Sequence, residues 1–474
     1  MVLSASGSAA GLLLGGVLMR LFVLAAPPGV PRLDTASLDW RVFLVSAGLA
    51  LACGTVFGVL PAWQVSRVRP AETLRGTARI PGSRVAGQWR AALTMAEVSI
   101  SLVLLIGAGL LLKSFVTVLG VDLGFQPSNV LAANINLPEM RYATPPERLQ
   151  FFEALEQRIV ALPGVQSVAF ANRLPMRGGW SSGAFLDVAE DQLHESDFQA
   201  VSPGYFATLG IRLRRGRLLE RGDRADRPGV AVVNEMFARR FLPGRDPIGR
   251  RLRRGPEMPW ITIVGVVNDI RRSGKTGDIT PQVYLAAAQT GLYPVRLADV
   301  AVKASGDPRQ LVPALRAAVW AIDKDQPLTN VRTLDEVIST SLAERRFHLL
   351  LLALFAGVAV ALAVVGVFGV IAYGVAQRTA EFGVRLALGA TSLTILALVL
   401  RQALILIGIG TVAGLAGAFV LTRYVQSLLF DVQPHDAATY ALTALLLVVV
   451  STIASAIPAA RGAKVDPLVA LRYE

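Results

Sequence analysis

The chain has 474 residues, of which 53% are hydrophobic, with a mean hydropathy of +0.51 and a formal net charge of +13. Soluble domains seldom reach that hydropathy, and several apolar runs approach the roughly 20 residues that cross a bilayer, so the composition indicates an integral membrane protein. The positive charge lies in arginine-rich loops without interleaved aromatic residues, which argues against nucleic-acid binding.

Cysteine and histidine usage limits the chemistry of the chain. The single cysteine, Cys53, lies in an apolar run and excludes an internal disulfide. The three histidines, His194, His348 and His435, are far apart in sequence and lack neighbours of the ligand type. The sequence therefore predicts no metal site.

The chain opens with two apolar runs at about 3–26 and 42–63, separated by a proline-rich loop. The following segment, 64–90, contains six arginines and only one acidic residue, Glu72. By the positive-inside rule this segment is a basic cytoplasmic linker, and residues 1–63 form two transmembrane helices with Met1 inside. No cleavable signal peptide is predicted, because the first run continues as a full span.

A third membrane helix is predicted at 91–117, beginning as an interfacial helix because Arg90 and Glu97 interrupt its start. The composition changes over 118–346, where charged residues, prolines and alternating strand and helix patterns appear. This segment is predicted to be a large mixed α/β extracytoplasmic domain of one or two lobes.

Within this domain, strands and helices follow from apolar periodicity. A strand, an amphipathic helix and a second strand form a βαβ-like unit, and the helix is expected to bury Leu149, Phe152, Leu155 and Ile159. The predicted strands are Val130–Leu137, Val165–Ala171, Val230–Val233, Trp260–Val267 and Asp299–Ala304, and the predicted helices are Pro145–Leu162, Asn234–Phe241 and Asp307–Asp323.

The remaining sequence completes a topology of six membrane helices. One transmembrane helix is predicted at 347–374 and two more within 393–461, with a cytoplasmic tail at 462–474. The fold class is thus an α-helical integral membrane protein with a large mixed α/β extracytoplasmic domain. Arg401 and Gln402 interrupt the second of these runs and are expected near the cytoplasmic interface or against a protein neighbour.

The segment 375–392, between two of these spans, is short, charged and compatible with a helix. Glu381 and Arg385 have the i,i+4 spacing of a helical ion pair, and Phe382 and Leu386 repeat that spacing on a neighbouring stripe. A polar helix cannot bury itself in lipid. It is either a solvated loop or a helix that receives force from a soluble partner.

The amino-acid sequence of this segment resembles that of a known protein family. QRTAEFGVRLALGA, at 377–390, resembles the cytoplasmic signature of MacB/FtsX-type ABC transporter permeases, with Phe382 where isoleucine is usual. The stretches 92–115, 201–217 and 230–241 resemble the opening helix and the periplasmic core domain of the same family. The resemblance implies a coupling segment that presses into a separate ATP-binding subunit. Its residues are Gln377, Arg378, Glu381, Phe382, Gly383, Arg385, Leu388 and Gly389.

The two ends of the chain also resemble each other. Residues 60–76 align with 457–473, sharing among others Pro61 with Pro458 and Pro70 with Pro467. The first two spans are therefore interpreted as a remnant of a first FtsX-like half, as in the duplicated orphan permeases of acidobacteria. A split gene, a wrong start or a genuine short form would each give this pattern. Pro61 and Pro458 are expected to disrupt the inner ends of their spans.

The sequence contains no recognisable ATP site. Gly274-Lys275-Thr276 resembles the end of a P-loop, but Asp269 stands where that motif requires glycine, so the stretch is interpreted as a surface turn. No catalytic residue, cofactor site or paired carboxylate is predicted, and the chain is not expected to be an enzyme. ATP would be bound by a partner subunit.

The resemblance implies a permease of the bacterial inner membrane that transmits ATP-driven movement from a separate ATPase to its outer domain, for export or efflux. The alternative is an FtsX-like signalling protein that regulates extracytoplasmic partners without transport. The expected partners are the ATP-binding subunit, membrane lipid, a periplasmic adaptor, and a second permease half or second copy.

Overall fold

The computed structural model describes residues 2–25, 40–41, 44–45, 47–48, 81–178, 181–292 and 296–463. Cys53, the repeated segment at 60–76 and most of the second predicted span lie outside these residues. The chain divides into two compact units: a helical domain formed by residues 1–117 and 343–474, and an α/β domain formed by residues 118–342.

Eleven α-helices are described. They are α1 (Val2–Ala25), α2 (Pro81–Leu119), α3 (Pro145–Val160), α4 (Tyr205–Leu209), α5 (Glu235–Phe241), α6 (Val312–Trp320), α7 (Leu334–Ser341), α8 (Ala343–Gln377), α9 (Thr379–Ala387), α10 (Ser392–Val425) and α11 (Ala437–Gly462). Among the described residues, four helices are long and apolar enough to cross a membrane: α2 from Gln88, α8, α10 with the turn that follows it, and α11. Helix α1 covers the first predicted span. Helix α2, which contains the third predicted span, begins at Pro81, inside the predicted basic linker.

The four long helices share one apolar core. It is built from residues at helical spacing, such as Val98, Leu102 and Ile106 of α2 and Val399 and Ala403 of α10, and the same cluster takes in residues of α8 and α11. Lipid supplies little hydrophobic drive between membrane helices, so their association depends on close packing.

Two glycines of α10 allow that close packing. A Cβ added at Gly410 would lie 2.8 Å from the Val98 side chain, and one at Gly414 would lie 2.9 Å from the Ser99 carbonyl oxygen. Small residues four apart are the usual means by which two membrane helices approach each other. The backbones of α2 and α10 are therefore in close contact at Gly410 and Gly414.

The expectation that Pro458 disrupts the inner end of its span is wrong in one respect. Pro458 is buried inside α11, and the helix continues to Gly462. Proline removes one backbone donor, but in a packed membrane helix neighbouring groups make this tolerable. The helix therefore passes through Pro458 rather than ending there.

Eleven strands form the sheet of the α/β domain. They are β1 (Val130–Asn134), β2 (Val165–Ala171), β3 (Ser181–Leu186), β4 (Ala189–Val201), β5 (Leu213–Gly216), β6 (Val230–Asn234), β7 (Arg251–Arg253), β8 (Ile261–Val267), β9 (Gln282–Ala286), β10 (Asp299–Ala304) and β11 (Thr329–Thr333). The order is β11-β1-β10-β2-β4-β3-β7-β8-β6-β9, with β5 paired to β8 and an additional β4–β9 pairing.

The first lobe is the antiparallel sheet β11-β1-β10-β2, covered by α3 and α6. Phe152, Leu155 and Ile159 of α3 are buried as predicted, but Phe151 is buried where Leu149 was expected to be. The predicted βαβ-like unit is also modified, because β10 lies between β1 and β2 and is antiparallel to both. The two strands are therefore parallel in direction but not adjacent.

The second lobe is a closed ring of six strands. Because β9 pairs with both β6 and β4, the order β4-β3-β7-β8-β6-β9 returns to its start. The interior of the ring is filled by apolar side chains, including Phe198, Ile263 and Leu285, and Phe237 of α5 joins the same cluster. The two lobes meet where Ala171 of β2 pairs with Val201 of β4. The Gly274-Lys275-Thr276 stretch lies in turns after β8, as predicted.

A buried ion pair holds the loop after β2 against the sheet. Asp299 is fully buried and accepts a hydrogen bond from the Leu174 backbone N–H at 2.7 Å and another from the Asn134 amide. Arg177 Nη1 lies 3.8 Å from the Asp299 carboxylate and donates to Asn134 Oδ1 at 3.0 Å. Burial raises the pKa of the Asp299 carboxyl, since desolvation disfavours its charged form.

We expect Gly414→Leu to lower the stability of the chain by about 1–3 kcal/mol, because the added atoms would collide with the α2 backbone at Ser99. The thermal midpoint of the detergent-solubilised chain measures the effect. Gly408→Leu is the matched control, since a Cβ at Gly408 on the same helix meets nothing within 4 Å. Equal midpoints for the two variants would contradict the close approach.

We expect Asp299→Asn to destabilise the first lobe by about 3 kcal/mol, because it leaves Arg177 buried without its counter-ion. Amides of β1 and β10 should then exchange hydrogen faster in the full chain. Asp325→Asn is the control, because Asp325 is 84% exposed and pairs with Arg141 at the surface. Unchanged exchange in β10 would show that the pair contributes little to stability.

Candidate functional site

The predicted coupling segment forms a separate short helix between two membrane helices. The first of these, α8, ends at Gln377, and Arg378 leaves the helical conformation with φ −109° and ψ 14° before α9 begins at Thr379. The Thr379 hydroxyl donates to the Val375 and Ala376 carbonyls at 3.1 and 3.0 Å. These bonds satisfy carbonyl groups that the break would otherwise leave free.

A glycine turn ends α9. Gly389 has φ +95°, its N–H donates to the Leu386 carbonyl at 3.1 Å, and the Ala390 N–H donates to the Arg385 carbonyl at 2.9 Å. This pair of bonds is a Schellman motif, in which glycine is the preferred residue at the left-handed position. The Thr391 side chain then caps α10 by accepting from the Thr394 N–H. The glycine of the motif therefore reverses the chain into the next membrane helix.

One face of α9 belongs to the core of the helical domain. Phe382 is fully buried in the apolar cluster of the four long helices, and Leu386 packs against the same cluster. Gly383 is also buried. The stripe predicted from Phe382 and Leu386 is thus confirmed, and it attaches α9 to the membrane helices.

The opposite face of α9 is exposed. Leu388 is 82% exposed and Val384, one turn earlier, is 43% exposed, while Arg385 lies beside them and is also exposed. Val384 on the helix and Leu388 at its C-terminal cap are four residues apart and form an apolar ridge at the end of α9. Sequence reasoning singled out Leu388 and Arg385 but missed Val384, although its spacing from Leu388 would have indicated it.

The charges of the segment form one connected group. Glu381 accepts from Arg378 Nε and Nη2 at 2.7 and 2.9 Å, and pairs with Arg385 Nη2 at 2.6 Å. The predicted ion pair between Glu381 and Arg385 is confirmed, and Arg378 is an additional partner. Hydrogen bonds from Arg378 lower the pKa of the Glu381 carboxyl, so this group remains ionised at neutral pH.

A second small network precedes α9. Gln377 donates to the Tyr373 hydroxyl at 2.7 Å, and the Arg90 guanidinium lies 4.0 Å from the centre of the Tyr373 ring. Arg378 similarly stands over the Phe382 ring at 5.2 Å. Cation–π contacts of this kind orient arginine side chains on aromatic faces. Gln377 and Arg378 are therefore positioned by contacts within the chain.

The eight residues named from the sequence all lie within one stretch of chain but divide between its two faces. Phe382 and Gly383 are buried and are not accessible to a partner. Arg385 and Leu388 are exposed and have long side chains that a partner could contact, and Gly389 forms the turn after α9. The arrangement offers an apolar ridge flanked by paired charges, with no catalytic grouping among its residues.

Two family models match the chain. Residues 91–318 match the MacB-like periplasmic core domain, and residues 353–467 match the FtsX-like permease C-terminal domain. The second match includes the whole of α9 and α10, and α8 from Ala353 onward.

Curated relatives are similar at low identity. The macrolide export ATP-binding/permease protein MacB of Aggregatibacter actinomycetemcomitans is 26% identical over 243 residues, which cover 50% of this chain and 37% of the relative. The probable syringafactin export ATP-binding/permease protein SyfD of Pseudomonas syringae pv. tomato is 26% identical over 288 residues, covering 58% and 42%. The chain thus spans less than half the length of these relatives.

Among solved structures, the periplasmic region of MacB from Actinobacillus actinomycetemcomitans aligns with a TM-score of 0.34 and 15% identity, covering 47% of this chain and 97% of that one. The extracellular domain of the ABC-type transporter YknZ from Gram-positive bacteria aligns with a TM-score of 0.30 and 12% identity, covering 43% and 99%. The two family matches identify the chain as a MacB/FtsX-type ABC permease, a multi-pass membrane protein with a MacB-like periplasmic core domain.

Proposed function

We propose that this chain is the membrane subunit of a transporter in the bacterial inner membrane, and that α9 is its contact with a separate ATP-binding subunit. The observation that carries the proposal is the division of α9 into a buried face at Phe382 and an exposed apolar ridge at Val384 and Leu388. Val384 and Leu388 lie next to each other beside an ordered ion-pair group, so one apolar surface of a partner could cover both side chains.

The packing of α9 suits it to transmit force. Because Phe382 is inserted among the long helices, a push on the exposed ridge is delivered to the core rather than absorbed by the loop. The chain then leads from α8 through Leu342 into the α/β domain, and α2 leads into it at Val118. Rigid-body displacement of these helices is the form of movement that packed interfaces permit.

The proposed topology places α9 and the basic segment 64–90 in the cytoplasm, where ATP is available, with six membrane helices in all. The names of the relatives support export or efflux as the direction of transport. A periplasmic adaptor and a second permease half, or a second copy of this chain, are the further partners of this proposal.

We expect Arg385→Glu and Leu388→Asp each to reduce the stimulation of the partner ATPase by about tenfold in reconstituted membranes, the loss that removing one well-placed contact of about 1.4 kcal/mol produces. Leu388 is exposed, so Leu388→Asp should leave the thermal midpoint of the isolated chain unchanged. Arg385→Glu replaces the exposed pair with Glu381 by a like-charge contact and should lower the stability by no more than about 0.5 kcal/mol.

Matched variants distinguish the loss of a contact with the ATPase from a loss of folding stability. Arg385→Lys and Leu388→Met keep charge and apolar character and should retain most of the stimulation. Phe382→Ala should instead lower the thermal midpoint, because it leaves a cavity where a fully buried aromatic ring was packed. If the Leu388→Asp variant stimulated the partner ATPase fully, α9 would not be part of the interface.

We expect opposite membrane sides for α9 and the α/β domain. Single cysteines at Leu388 and at Arg245, introduced after Cys53→Ser, should react from opposite sides with a membrane-impermeant maleimide in oriented vesicles, because both positions are exposed in the structure. Labelling of both cysteines from one side would overturn the proposed topology.

A further inference from the structure

A cavity of about 900 Å³ follows one strand of the α/β domain. Its wall includes six consecutive residues of β4, from Gln192 to Asp197. Since successive side chains of a strand point to opposite faces, a cavity lined by an unbroken run of residues lies along the edge of the strand. The opposite wall is formed by the end of α5 with the loop after it, and by Thr280 and Pro281 before β9.

That edge of β4 is unpaired within the part of the chain that the structure describes. On one side, β3 pairs with β4 from Asp197 back to His194 and beyond. On the other side, the pairing with β9 starts only at Asp197. The Asp197 N–H donates to the Pro281 carbonyl at 2.8 Å, so the backbone groups of Glu195, two residues earlier, are aimed at the same edge.

Pro281 explains why the pairing stops. In a parallel ladder, the Glu195 carbonyl would accept from the N–H of residue 281, and proline has none. Glu195 and Leu193 therefore present strand donors and acceptors to the cavity instead of to β9. A free strand edge is a template for another extended chain.

Two polar atoms at the base of the cavity also lack partners among the described residues. His194 Nε2 and Ser196 Oγ make no hydrogen bond, although the residues are only 9% and 2% exposed. The His194 ring packs on Phe241 with 4.6 Å between ring centres. Buried polar atoms without a partner are unfavourable, and a ligand with polar groups would satisfy them.

The charges of the cavity indicate what the ligand carries. Arg240 and Arg245 are exposed in its wall, and neither lies within ion-pair distance of a carboxylate in the described residues. The Asp197 carboxylate is already engaged, since it accepts from the Ser181 and Thr280 hydroxyls at 2.5 Å. The exposed Glu195 carboxylate also lines the cavity, on the strand side, so an acidic ligand group is favoured at the wall that carries the two guanidinium groups.

We propose that this cavity binds an extended segment of a partner polypeptide, which adds as a strand to the β4 edge and places an acidic side chain near Arg240 and Arg245. Main-chain hydrogen bonds to Leu193 and Glu195 supply affinity, and the cavity selects the side chains. A small carboxylate alone would not pair with the backbone groups of the strand edge. The inference is independent of the role of α9.

The test uses the full chain in nanodiscs and a dye-labelled hexapeptide of alternating valine and aspartate, acetylated and amidated at its ends. Fluorescence anisotropy should show saturable binding, about tenfold weaker when alternate amides of the peptide are N-methylated or when lysine replaces aspartate. Residue-resolved hydrogen exchange of the wild-type chain should show new protection of the Leu193 and Glu195 amides on peptide addition.

Variants test the edge and the charges separately. Glu195→Pro removes a donor that points away from β3 together with the Glu195 carboxylate, and it should bind about tenfold more weakly than Glu195→Gln, which lacks the same charge but keeps the donor. Arg240→Gln with Arg245→Gln should weaken it similarly, whereas Arg316→Gln with Lys324→Gln, which removes the same charge elsewhere on the domain, should not.

Four results would overturn the proposal: no binding of the peptide at about 1 mM, equal binding of the N-methylated peptide, unchanged exchange at Leu193 and Glu195, or displacement of the peptide by N-acetyl-aspartate amide at equal concentration. The last result would assign the cavity to a small carboxylate. Because no ATPase is present in these measurements, their outcome does not depend on the coupling proposal.

Discussion

The burial of Phe382 is the interaction on which the proposed action of this permease depends. A nine-residue helix is too short to be stable alone, so α9 exists because one of its faces is part of the membrane-helix core. The same attachment leaves the opposite face fixed in position and accessible. If Phe382 were not inserted, the segment would be a flexible connection, and a push from a partner would be lost in it.

Much of the helical domain follows from the sequence because its signals are local. Length and hydropathy predict the long helices, and the spacing of Glu381 with Arg385 predicts an ion pair that the structure contains. The role of Gly389 was carried only by the family resemblance, and its positive φ supplies the physical reason. The partnership of Arg378 with Glu381 was missed, since it crosses the break between two helices.

Topology in the α/β domain was less accessible to sequence reasoning. Five of the eleven strands, β1, β2, β6, β8 and β10, were predicted from periodicity. The insertion of β10 between β1 and β2 joins segments that are more than 120 residues apart, and no local pattern encodes that pairing. The exchange of Leu149 for Phe151 on the buried face of α3 has a similar cause. Both positions fit the apolar stripe, and the residues across the sheet decide which one is covered.

The two proposed recognition surfaces use different elements and therefore require different partners. A helical ridge such as Val384 and Leu388 fits a preformed groove, whereas a strand edge such as Glu195 fits a chain that becomes ordered as it binds. A folded ATPase suits the first and an extended segment suits the second. Each surface can be altered without touching the other, because they belong to separate compact units.

The size of α9 sets a further requirement on the coupling interface. A stable interface buries about 800 Å² on each partner and involves some 20–30 residues, which nine residues with one exposed face cannot supply. The remaining area must come from other segments on the same side of the membrane. On the predicted topology the segments 64–90 and 462–474 lie on that side, and the six arginines of 64–90, set against one acidic residue, would complement an acidic surface beside the groove that receives Leu388. In the proposed arrangement the basic segment 64–90 would hold the ATPase in place, and the ridge of α9, fixed by Phe382, would receive its movement.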